Sequence, residues 1–326
     1  MSIRIVMSAV LAVLATAYTT AAAPAGPVEI RIGHGLAAEE QLYLMGARPD
    51  VTPNQGRAYT LKLTAFRANA DRLAAYEAGQ LDGGTIAAPT ALFAAEQGMP
   101  MKLVASIARE VPGGNWFNTT YMALADGGPR TPRDLRGKTI AIVDFKSATD
   151  LWARAAVAGA GLDASRDVNY VVLPFPAMGE ALRTRRIDVG TFVQPFYTME
   201  RGRGGLVEVF NAKTGVPFDE ELLLLFLRPE FVQRHPGAVR AFLRDFVAAT
   251  RWYLANPREA RQALIDRRFV LASPAVYLEL QDYYREPSAR ISTEALRRSQ
   301  ELHLKLGWQR QPVDLRRIVD NAFLPY

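Results

Sequence analysis

The chain is 326 residues long, carries 39 basic and 33 acidic side chains for a formal charge of +6, and contains no cysteine. Without cysteine there is no disulfide framework, no thiol nucleophile and no thiolate metal site. The small positive excess, alternating with acidic residues, is a mild bias toward anions and excludes the basic block of a nucleic-acid binder.

In chain order, Arg4 precedes an apolar stretch from Ile5 to Ala17 and the small residues Thr19 to Ala23. This is the pattern of a secretory signal peptide over residues 1–23. The stretch is shorter than the roughly 20 apolar residues that span a bilayer, so a soluble, exported product is expected. An uncleaved anchor is the alternative, because Pro24 directly follows Ala23; cleavage after Ala21 or Ala22 avoids that obstacle. With no cysteine to carry a lipid, the product is expected to diffuse freely in the periplasm of a Gram-negative bacterium. About 300 residues remain, more than one core usually organises, so two lobes of about 100 to 200 residues each are expected.

Strands are predicted at Val28 to Ile32 and Thr60 to Phe66, a helix at Ala70 to Ala78 closed by Gly79, a strand at Leu81 to Ile86, a helix at Thr90 to Gln97 and a strand at Met101 to Ala108. The turn-rich run from Asp126 to Pro132 marks the expected passage into a second lobe. The alternation then restarts, with strands at Lys138 to Val143, Val168 to Leu173 and Ile187 to Phe192 separated by helices at Ala148 to Ala158 and Gly179 to Arg185. Such alternation predicts α/β lobes with mostly parallel sheets. Glu221 to Leu227 is the expected return strand. Helices follow at Pro236 to Ala255, Pro257 to Asp266, Pro274 to Tyr284 and Ser292 to Leu306, three of them opened by proline. The predicted order is lobe one over 24–125 and 226–326, and lobe two over 126–225.

Several segments resemble the periplasmic solute-binding proteins of ABC transporters that serve nitrate, sulfonates, taurine and thiamine-pyrimidine precursors. They are Ala78-Gly79-Gln80-Leu81-Asp82-Gly83-Gly84, Gly98 to Ala105, Asp134-Leu135-Arg136-Gly137-Lys138-Thr139-Ile140-Ala141-Ile142, Gly161-Leu162-Asp163 leading to Val168 to Val172, Arg186-Ile187-Asp188-Val189, and Phe231 to Phe242. The resemblance covers nearly the whole mature chain in co-linear order. It implies a type II periplasmic binding protein fold, two α/β lobes joined by a two-crossing hinge, in a monomer that hands its ligand to an ABC permease in the inner membrane. Where that family often has a glycine-serine pair at the start of the first lobe-two helix, this chain has Lys146-Ser147.

Ligands in open α/β sheets sit beyond the carboxyl ends of the strands, so the loops there supply the candidates. Lys146, Ser147, Ala148 and Thr149 open a helix whose free amides and dipole favour an anion; the alternative for Ser147 is a helix cap, and for Lys146 a solvated charge. Pro89 and Thr90 hold the matching position in lobe one. His34 and Leu36 lie in the first loop, His34 as a hydrogen-bond donor or a structural residue. Asn115 and Trp116 precede the first crossing as pocket wall or lobe core. Phe192, Gln194 and Tyr197 end a lobe-two strand, facing the cleft on the family pattern. The aromatics and the lysine together suggest a ligand with an apolar body and an acidic group.

The expected function is capture of a small anion by lobe closure, with no cofactor and no metal. His34, His235 and His303 are too scattered for a metal motif. An enzyme on the same fold, the thiamine-pyrimidine synthase that the resemblance includes, depends on a cysteine-rich iron site that this chain cannot supply. A ligand sensor for a membrane receptor reads the same closed clamp and stays open as an alternative.

Overall fold

A computed structural model describes residues 26–66, 69–270 and 272–326. The predicted signal peptide, residues 1–23, lies outside the described residues. Ten strands form two five-stranded sheets. The first contains β1 (Val28–His34), β2 (Tyr59–Ala65), β3 (Gly83–Ala87), β4 (Lys102–Glu110) and, much later in the chain, β10 (Glu220–Leu227). The second contains β5 (Thr120–Leu124), β6 (Thr139–Ile142), β7 (Asn169–Val172), β8 (Val189–Phe192) and β9 (Leu206–Asn211).

The sheet orders are β2-β1-β3-β10-β4 and β7-β6-β8-β5-β9. In each, four strands run parallel and the fifth, β10 or β5, runs antiparallel to the neighbours on both its sides. The antiparallel strand is the one by which the chain enters a sheet from the other, so both crossings lie at corresponding places in two alike lobes. This is the two-lobed α/β architecture that the resemblance implies.

The parallel strands are joined through α1 (Glu40–Ala47), α2 (Asn69–Glu77) and α3 (Ala88–Glu96) in the first lobe. In the second the helices are α4 (Ala148–Gly159), α5 (Phe175–Arg183), α6 (Phe196–Arg203) and the short α7 (Ala212–Gly215). Beyond β10 come α8 (Pro229–Arg234), α9 (Pro236–Ala255), α10 (Pro257–Asp266), α11 (Pro274–Tyr277) and α12 (Thr293–Lys305). Proline stands in the first turn of α8 to α11, where its missing amide costs no hydrogen bond. This helical tail returns to the first sheet: α9 and α10 pack with α1 on one face, while Ile291 and Leu296 join α3 on the other. Both faces are covered, in keeping with the unbroken apolar run from Leu222 to Leu227 in β10.

Three expectations from the sequence give way. The chain changes sheets over residues 111–119, before the turn-rich 126–132, because β5 already pairs with β8 and β9; the return is complete by Glu220, whose partner is Glu110 of β4. The predicted helix Pro274 to Tyr284 stops at Tyr277. Beyond it the backbone serves the crossing, with Phe117 N–H donating to the Asp282 carbonyl and Arg109 N–H to that of Tyr284, at 2.8 and 2.9 Å. Ion pairs hold the segment there: Arg285, wholly buried, meets Asp282 at 3.0 Å and also Glu40. Tertiary bonds thus override a helical periodicity.

Candidate functional site

Between the lobes lies a cleft of about 600 Å³. Its walls come from the carboxyl ends of strands in both sheets. The loop after β1 contributes Gly35 to Glu39; the start of α2 gives Asn69 and Arg72; the loop after β6 and the start of α4 give Val143, Asp144 and Ser147 to Thr149. The loop after β7 adds Pro174 to Ala177, β10 adds Leu222 and Leu223, and the crossing region adds Thr119 and Tyr283. One site is therefore assembled from at least six separated stretches of sequence.

The lobe-two side is organised by the N-terminus of α4. Ser147 takes the extended cap conformation and its Oγ accepts the Asp150 amide at 3.4 Å, while the same hydroxyl donates to the Asp144 carbonyl at 2.7 Å. Thr149 Oγ1 accepts the Val143 amide at 3.1 Å and lies 2.9 Å from Ser147 Oγ. Ser147 thus caps the helix and also lines the cleft. Trp152, one turn further, is buried against the same space and donates its indole N–H to Glu220 at 2.9 Å. Burial pushes the Asp144 carboxyl up, against a backbone bond at Phe145.

The lobe-one side is built around two buried charges. Glu39 is saturated: it accepts from Gly35 N–H at 2.9 Å, from the Tyr43 hydroxyl at 2.8 Å and from the Thr85 hydroxyl, and His34 Nδ1 lies 3.4 Å away. Burial pushes this carboxyl up, but the bond from His34 and the charge of Arg72 outweigh it, so it stands below the ordinary value. Arg72, only 3% exposed, is the opposite case. Nη2 donates to Asn69 Oδ1 at 2.5 Å, and Nε is buried with no partner among the described residues.

Of the residues singled out from sequence, Leu36, Ser147, Ala148 and Thr149 line the cleft. The others do not. His34 ends β1, and its ring is occupied by Gly35 O at 2.8 Å and by the Glu39 network. Pro89 and Thr90 lie within the first turn of α3, which starts two residues earlier than predicted because β3 runs into it without a loop. Asn115 is exposed and accepts from Gln281 at 3.1 Å, while Trp116 meets Tyr284 edge to face on the outer side of the crossing. Lys146 is exposed, and its ammonium lies over the Phe93 ring of the first lobe at 5.0 Å. Phe192 is wholly buried in the lobe-two core. Gln194 bonds the Gln281 carbonyl at 3.1 Å, and Tyr197 packs on Phe117.

The wall residues that sequence reasoning missed include Glu39, Phe66, Arg72, Trp152, Phe175 and Tyr283. Phe175 could have been found, because Leu173-Pro174-Phe175-Pro176 is a strand-to-helix loop like the others searched. Arg72 carries no such signal; an arginine on a short amphipathic helix ordinarily reads as solvated. Among the described residues no three histidine, aspartate or glutamate side chains converge as metal ligands would, and no helix is long and apolar enough to cross a membrane.

A family model described as NMT1/THI5 like matches residues 60–260. No curated protein matches the chain in sequence. Among solved structures, the alkanesulfonate-binding protein SsuA from Xanthomonas axonopodis pv. citri, bound to MOPS, aligns with a TM-score of 0.72 at 19% identity, covering 91% of this chain and 100% of that one. The periplasmic aliphatic sulphonate-binding protein SsuA from Escherichia coli aligns at 0.71 and 16% identity over 89% and 91%. The periplasmic nitrate-binding protein NrtA from Synechocystis PCC 6803 aligns at 0.71 and 13% identity over 92% and 88%. At these identities the likeness is one of fold.

Proposed function

Because the chain belongs to the NMT1/THI5-like family, we propose that it is the substrate-binding component of an ABC import system, exported to the periplasm by its N-terminal segment and working as a monomer that delivers a small anion to an inner-membrane permease. The observation that carries this reading is the cleft walled by both lobes, with an arginine on one side and a helix N-terminus on the other. A ligand resting on one lobe gains the contacts of the other only when the crossings close. It therefore shifts the population toward the closed form by its differential affinity. The similar structures named for sulfonate and nitrate binding support the same role.

Capture and release need no reacting side chain. The carboxylate best placed to act as a base, Glu39, is tied up by its donors. The test is a thermal-shift screen of the purified protein against sulfonates, carboxylates, inorganic oxyanions, pyrimidines and amines, followed by small-angle scattering with any compound that binds. A ligand that binds only the folded form raises the melting temperature, and closure shrinks the radius of gyration. A bound ligand that leaves the scattering unchanged would contradict the clamp; a screen with no shift in any class would contradict solute capture itself.

A further inference from the structure

We propose that Arg72 is the anion receptor of the cleft and that the ligand is an organic carboxylate or sulfonate with an apolar body, in preference to a bare inorganic oxyanion. The inference rests on the solute-binding reading and gives it a chemical class. Three arginines are buried among the described residues. Arg261 bonds two backbone carbonyls and the Tyr253 hydroxyl and faces Asp282, and Arg285 is paired with Glu40 and Asp282. Arg72 has no carboxylate within ion-pair distance among the described residues and one hydrogen bond, to Asn69.

A buried guanidinium with unmet donors is costly, and buried polar groups left unsatisfied in native proteins call for an explanation. Glu39 lies close enough for the two charges to attract but does not fill these donors, since both its oxygens already accept from fixed donors. Arg72 lines the cleft, and a guanidinium fork matches a carboxylate or sulfonate edge. Opposite it, the first turn of α4 adds the positive end of a helix dipole from the other lobe. An anion thus meets attraction from both lobes, which is what closure around it requires.

The rest of the cleft decides between organic and inorganic anions. Phe66, Phe175, Trp152, Leu222, Leu223 and Val193 make its remaining walls largely apolar. A volume of about 600 Å³ falls in the range of pockets for drug-sized ligands and leaves far more room than nitrate or sulfate fills. Asp144 is the one lining carboxylate that could instead greet a cation, so amines belong among the probes.

The experiment is calorimetry and thermal shift on the purified protein with benzoate, hexanesulfonate, nitrate, sulfate, benzamide and benzylamine, on wild type and on Arg72→Met and Arg72→Lys. The expected result is binding of benzoate or hexanesulfonate with no response to benzamide or nitrate. In Arg72→Met that binding falls on the order of 100-fold. Arg72→Lys keeps part of the affinity. Equal binding of benzoate and benzamide, selection of benzylamine or nitrate, or unchanged affinity in Arg72→Met overturns the assignment and leaves the solute-binding reading intact. A wild type that binds none of these probes and none of the wider screen removes both. The benzoate and benzamide comparison needs only wild type and decides the matter if the variants do not fold.

Discussion

At the scale of single residues, the crossings concentrate buried acids. Glu110, at the end of β4, accepts Thr119 N–H and Oγ1–H at 3.0 and 2.7 Å. Burial, against the charge of Lys213 and the bonds from Thr119, leaves its carboxyl pushed up to about 7. The folded form therefore holds a proton that the unfolded chain releases near the ordinary 4.5. The stability that this proton supplies is complete below the unfolded value and is lost as pH rises to about 7. In Glu110→Gln the amide still accepts from Thr119 and does not titrate. Wild type is thus expected to gain on the variant as pH falls from about 7 to 4.5, by at most about 3 kcal/mol at ~1.4 kcal/mol per pKa unit. Melting curves of both proteins at pH 5 and pH 8 measure this; a difference that stays constant would mean that Glu110 titrates as an exposed carboxyl does. Little of this was legible beforehand, because Glu110 and Thr119 are nine positions apart and the depth of each depends on the other lobe.

At the scale of elements, β3 shows why a short glycine-bearing strand sits at the centre of the first sheet. It is flanked by β1 and β10, and a Cβ on Gly83 would lie 2.1 Å from the Phe226 carbonyl oxygen of β10. That oxygen is ladder backbone and cannot swing aside. Gly83→Ala is expected to cost about 3 kcal/mol or more, read as a lowered denaturant midpoint. A neutral result would require β10 to shift without loss, against its pairing on both edges. The Gly83-Gly84 pair was visible as a motif of the resemblance, but its steric reason was not, since the neighbour it accommodates lies more than 140 residues away. Most strands and helices fell where periodicity predicted them. Helices α6 and α7 were also missed, while β5, β9 and the false end of α11 are elements whose state depends on partners from elsewhere in the chain.

At the scale of the molecule, the two lobes are tied through Glu220 at the head of β10. It accepts from Lys213 of α7 at 2.8 Å and from Trp152 of α4 at 2.9 Å, both belonging to the second lobe. Lys213→Met leaves this carboxylate buried with the indole alone, and breaking such a pair typically costs about 3 to 5 kcal/mol. Adding Glu220→Gln should recover most of the loss, because a neutral amide needs no counter-ion. Chemical denaturation of the single and double variants checks the pair, and equal losses in both would show that packing of the lysine stem, not its charge, is what matters. Because Trp152 both lines the cleft and holds this bond, its environment couples the candidate site to the junction between lobes.

Local patterning alone was enough to specify an α/β chain whose alternation restarts once, a helical tail opened by prolines, and a helix start at Ser147 beside the candidate site. These features depend on the preferences of neighbouring residues: strand and helix periods, caps and turn formers act within a few positions. The composition of the cleft was decided only in three dimensions. Arg72 became a ligand candidate because folding buried it beside a glutamate already saturated by other donors, and Lys146 and Asn115 ceased to be wall candidates because their backbones direct them outward or across to the other lobe. Whether a charge is solvated, paired or left waiting for a counter-ion is a property of what surrounds it, and those surroundings come from segments that only the tertiary structure brings together.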